Sequence, residues 1–149
     1  MRRAVLLAVL ACGGCDCDGP TSKPGAPERS SLRVPLPDGW RAAAVSGGLQ
    51  VGPQGRVVLQ LESTTRPLPD PVAFFEALQG EGVEVTQKES VDTFIGARYL
   101  VGAEGSRRDA FVGVRQAGPR TIWCSTTASA KSEEVEAAMT VCRSLSWEG

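Results

Sequence analysis

Along the chain the apolar positions change character twice. Arg2 and Arg3 precede an unbroken apolar run from Ala4 to Ala11, and residues 13 to 31 are then almost wholly polar. From Leu32 onward, short apolar stretches alternate with Gly- and Pro-rich breaks. "LRVPL" predicts a short strand, with Pro35 favouring a sheet edge. "LPDGW" predicts a turn, with Pro37 and Gly39 at suitable positions. "LQV", "GPQG" and "RVVLQLES" together predict a hairpin in which Leu59 and Leu61 share the core face. "LPDPVAFFEALQGEG" predicts the first helix. Asp70 suits its cap and Pro71 its first position, while Val72, Phe75 and Leu78 form an apolar stripe. Gly80 or Gly82 ends it. "VEVTQKES", "FIGARYLV", "AFVGVRQ" and "RTIWCSTT" predict four more strands. "SEEVEAAMTVCRSLSW" predicts a closing helix capped by Ser132. Glu133 and Glu134 lie in its first turn, and Val135, Ala138, Met139, Cys142 and Leu145 line one apolar face.

The resulting order, β-β-β-α-β-β-β-β-α, implies an α+β domain. Its mostly antiparallel sheet has about six to seven strands, with two helices packed on it. Three stretches resemble the PsbP-like family: "VPLPDGW" at the start, "VVLQLES" before "DPVAFFEAL", and the closing "EEVEAAMTVCRSL". That resemblance covers most of Leu32 to Trp147. It implies an α-β-α sandwich serving as a binding or assembly module, often in an exported compartment, and it carries over no catalytic residue.

The first apolar run has eight residues, far fewer than the roughly 20 that span a bilayer. With its arginines it fits a secretory signal peptide. It ends in "VLAC", which resembles the lipobox of bacterial lipoproteins. The resemblance implies cleavage after Ala11 and acylation of Cys12, so that residues 1–11 are a lipoprotein signal peptide. Cys15 is the rival acceptor because Gly14 precedes it, but Gly13 and Cys12 suit the upstream positions less well. Residues 12–31 form a Gly/Pro/Ser-rich tether with too little apolar surface to fold, and 32–149 form the single domain. The expected location is the bacterial cell envelope, held in the membrane by lipid on Cys12. The domain would face the periplasm or the exterior, with an envelope protein as its further partner.

Composition narrows the chemistry. The chain has no histidine, which removes Ser-His-Asp and Cys-His catalysis and the commonest metal ligand. It lacks a phosphate-binding G-x-x-x-x-G-K-[ST] loop. Removing Arg2 and Arg3 from 16 basic residues leaves 14 against 17 acidic ones, a net −3. No basic run exceeds Arg107-Arg108, which argues against nucleic acid. No cofactor, metal or catalytic residue is expected. The alternative is a small envelope enzyme or thiol-redox protein using the five cysteines. Cys12, Cys15 and Cys17 form one cluster without the fourth ligand that zinc usually needs. Cys142 lies on the apolar face of the last helix, and Cys124 shares a strand face with Ile122. A Cys124–Cys142 disulfide is therefore expected after export, two buried free thiols being the other reading. Trp123 takes the opposite strand face. With Tyr99 it is a possible binding surface, unless a helix covers that face.

Overall fold

The alternating stretches become strands of one antiparallel sheet in the computed structural model, which describes residues 31–149. The order is β1 (Ser31–Arg33), β2 (Trp40–Val45), β3 (Gly48–Pro53), β4 (Leu59–Thr64), α1 (Pro71–Ala77), β5 (Val83–Val91), β6 (Phe94–Val101), β7 (Arg108–Ala117), β8 (Arg120–Thr126), α2 (Ser132–Arg143) and β9 (Ser146–Glu148). Seven strands lie in the order β2-β3-β4-β8-β7-β6-β5, while β1 and β9 pair separately. The leader, Cys12, Cys15 and Cys17 lie outside the described residues. Ser31, assigned from composition to the tether, pairs with Glu148 in β1–β9 and belongs to the domain.

The helices lie on opposite faces, giving α-β-α layers. Cys124 stands opposite Leu61 and Gly113, and Trp123 opposite Glu62 and Val114. Neighbouring strand residues point to opposite faces, so these two rows define the two sides of the sheet. On the Cys124 side, Val135, Ala138, Met139, Val141 and Cys142 of α2 pack with Leu59, Leu61, Phe94, Phe111 and Ile122. On the Trp123 side, Phe74 of α1 packs with Ile95, Ala97 and Val114. Gly96 and Gly113 stand opposite each other beneath the buried Phe94 and Phe111 rings. A Cβ on Gly113 would sit 2.5 Å from the Phe111 ring, so the rings occupy the space a side chain would need.

Ion pairs fasten α2 to the sheet at both ends. Arg98 donates to Asp109 at 2.6 Å, to Glu136 at 2.7 Å and to the Ser132 carbonyl at 3.3 Å. Arg143 donates to Glu89 at 2.6 Å, and Arg56 pairs with Glu134. Arg115 donates to the Leu145 carbonyl at 3.2 Å.

Four local expectations change. Trp40 closes the expected turn, donating its N–H to the Pro37 carbonyl at 3.1 Å, but it also opens β2, an unexpected strand that "RAAAV" continues; alanine gives that strand too little hydrophobic contrast to be recognised. Val72 is 64% exposed, and Phe74, Phe75 and Leu78 form the packed side of α1 instead. Ser132 is the first helical residue; Lys131 precedes it as the cap, and Glu134 accepts from the Lys131 N–H at 2.8 Å. The closing helix stops at Arg143, so Leu145 is buried beyond it and Trp147 lies in β9. Asp70 does cap α1, accepting from the Ala73 N–H at 3.0 Å, with Pro71 as the first helical residue.

Candidate functional site

α2 leaves one end of its sheet face uncovered, and a groove of about 520 Å³ lies there. Leu49, Leu61 and Ile122 from β3, β4 and β8 form its floor, while Leu32 and Trp147 from the β1–β9 pair form a wall. The floor follows from strand register: Leu49 stands opposite Leu61, and Ile122 precedes Cys124 by two positions on the same face. The wall follows from β9 turning back after α2 to pair Trp147 with Leu32. Gly118, between β7 and β8, permits this return: a Cβ there would meet the Trp147 side chain at 2.7 Å. Gly47, Gly48, Ser63 and Arg120 complete the rim. Arg120 makes no ion pair among the described residues, in contrast to the arginines that fasten α2.

That contrast separates structural charge from available charge. The Asp109 hydrogen bond holds the Arg98 pKa above its ordinary value, outweighing partial burial. The Glu89 hydrogen bond does the same for Arg143. The Arg56 hydrogen bond holds the Glu134 carboxyl below the usual carboxylate range. These groups are committed to the fold. The groove instead offers an apolar floor, an aromatic wall and one cation at its rim.

The sequence-predicted residues fall elsewhere. Cys124 and Cys142 are joined in a disulfide, their Cα atoms 6.2 Å apart, and neither is exposed. Trp123 is 37% exposed at the border of the α1 footprint, its ring centroid 6.0 Å from that of Phe74. With Arg66, Pro67 and Pro69 it lines a hollow of about 430 Å³. Tyr99 is half-buried on the same sheet face, opposite Val85. It stands four residues along β6 from Ile95, which lies in the Trp123 row, and two strands away from β8. Strand geometry puts the two roughly 17 Å apart, so they do not converge on one site. Among the described residues, no group of three or more His, Cys, Asp or Glu is placed to hold a metal, and no helix is long and apolar enough to cross a membrane.

Sequence reasoning missed the groove because its residues come from five strands. Trp147 carried a signal in its size, but at the end of an apolar helical pattern it read as a helix tail. No protein-family model matches the chain, and no curated protein is significantly similar to it. Among solved structures it is similar to the crystal structure of LpqN, described as involved in cell envelope biogenesis of Mycobacterium tuberculosis. The TM-score is 0.47 and the identity 16%, with 84% of this chain and 87% of that one covered.

Proposed function

We propose that the protein is an envelope lipoprotein, anchored through acylated Cys12, whose domain acts as a non-catalytic binding module. Its contact surface is the groove, and its ligand an elongated apolar group with an anionic end. One observation carries this reading: Ser31 and Leu32, where the described chain begins, themselves line the groove. The surface therefore lies beside the predicted tether. The groove volume falls within the roughly 300–1,000 Å³ of small-molecule sites. Burial of the Cys124–Cys142 disulfide supports a structural bridge over thiol chemistry, the alternative reading.

Two measurements test the proposal. Cys12→Ser should move the full chain out of the membrane fraction or block its processing; a fully processed, membrane-bound variant refutes the anchor. For the groove, laurate below its micellar concentration should change the tryptophan fluorescence of the protein, and Trp147→Phe should abolish most of the change. Arg120→Gln should weaken laurate binding several-fold and leave dodecanol binding unchanged. Laurate binding that survives Leu49→Arg undiminished would exclude the groove as the site.

A further inference from the structure

Three local features shape the hollow of about 430 Å³ beside Trp123. Strand register sets Glu62 of β4 directly opposite Trp123 of β8, so carboxylate and indole are neighbours on one sheet face. Past the end of β4, the Arg66 N–H donates to the Thr64 hydroxyl at 3.1 Å, a turn that fixes where Arg66 leaves the sheet. Pro67 and Pro69 then restrict the backbone, while Leu68 between them packs against the Phe74 cluster. Trp123 itself leans on Phe74 and is still 37% exposed, so the core steadies one part of the indole and the rest opens to the hollow.

Glu62 and Arg66 are the two charged residues of this lining. Neither has an ion-pair partner among the described residues, and they do not pair with each other. Exposure is not the reason, because Arg33 and Glu148 are just as open and pair at 2.9 Å. The hollow therefore presents an indole, an acid and a base together, with the opposite charges held apart.

We propose that this hollow binds a zwitterionic group made of an ammonium and a phosphodiester, the chemistry of glycerophosphocholine. The ammonium sits against Trp123 beside Glu62, and the phosphate oxygens accept from Arg66. Charge complementarity makes the choice. A cation is attracted to the electron-rich indole face, and the neighbouring carboxylate balances it. A guanidinium matches phosphate oxygens with two parallel hydrogen bonds. A simple anion is repelled by Glu62, a simple cation by Arg66, and a neutral ligand leaves both charges without a counter-charge. An α-amino acid carries both signs on one carbon, closer together than two side chains that do not meet. The inference depends neither on the groove ligand nor on the anchor.

Two-dimensional NMR of the full chain tests it, because the three tryptophans give separate indole N–H signals. Loss of one signal in Trp123→Phe identifies that of Trp123. Glycerophosphocholine should move the Trp123 signal and leave that of Trp147, in the groove, where it is. Glycerol 3-phosphate, choline and alanine should each bind about tenfold more weakly. Glu62→Gln should weaken glycerophosphocholine about fivefold and strengthen glycerol 3-phosphate. Arg66→Gln should weaken glycerophosphocholine to a similar degree and strengthen choline. Such opposite changes in selectivity do not arise from damage to the fold, which unmoved Trp40 and Trp147 signals report directly. A Trp123 signal unmoved at about 20 mM glycerophosphocholine, where a millimolar site is filled, overturns the proposal. Binding of choline, glycerol 3-phosphate or alanine as tight as that of glycerophosphocholine also overturns it, as does selectivity that neither variant alters. Dihexanoylphosphatidylcholine below its micellar concentration presents the same group on a lipid. A matching Trp123 shift supports a lipid head group as the source, and no shift beside a positive glycerophosphocholine result supports a free compound in the same hollow.

Discussion

Removing the Cys124–Cys142 bridge isolates how much of the α2 packing depends on a covalent link. The cysteines are 18 positions apart, and both are fully buried between α2 and β8. In the chain-entropy treatment, a closed loop of that length restricts the unfolded chain by about 3 kcal/mol. Reduction should therefore lower unfolding free energy by about 3 kcal/mol. At about 4 °C per kcal/mol for a domain of this size, the midpoint falls by roughly 12 °C. The double variant Cys124→Ala, Cys142→Ala also loses two buried sulfur atoms and should fall a further 1–2 kcal/mol or so through cavity formation. Urea unfolding of the oxidised protein, the reduced protein and the double variant separates the two contributions, since reduction leaves the sulfur atoms in place. A reduced protein within about 1 kcal/mol of the oxidised one would refute the loop argument. It would show instead that the ion pairs and the apolar face of α2 hold the helix unaided.

Three further outcomes are expected. Gly113→Ala should destabilise the domain by about 1–3 kcal/mol in the same assay, because its Cβ would meet the buried Phe111 and Phe94 rings at 2.5 and 3.2 Å; an unchanged midpoint would show that the rings can move aside. The Arg56 hydrogen bond lowers the Glu134 pKa in the folded state, so its stabilisation is complete above the unfolded carboxylate value of about 4.3 and is lost as pH falls through the folded value. The stability gap between the protein and Arg56→Gln should accordingly narrow below about pH 4, and a gap as wide at pH 3 as at pH 7 contradicts the pairing. Finally, the net acidity of the chain predicts negligible DNA binding, so salt-sensitive association tighter than about 10⁻⁶ M at physiological ionic strength counts against that reading.

The α+β class, the cap at Asp70, the core role of Leu59 and Leu61 and the apolar face of α2 were all legible in sequence. Each rests on local periodicity or capping chemistry, which a chain expresses over a few neighbouring residues. The apolar run from Ala4 to Ala11 ahead of Cys12 is also a linear signal, read without any fold. The groove and the separate β1–β9 pair were not legible. Trp147 reaches Leu32 across the whole length of the domain, and Leu49, Leu61 and Ile122 share a floor through strand register. Pairing between distant segments is chosen by burial of the whole sheet, a quantity that no short window contains. The partial cover over Trp123 has the same origin. Its alternation placed it opposite Cys124, but its exposure depended on the reach of α1, a seven-residue helix about 10 Å long that stops at the border of β8.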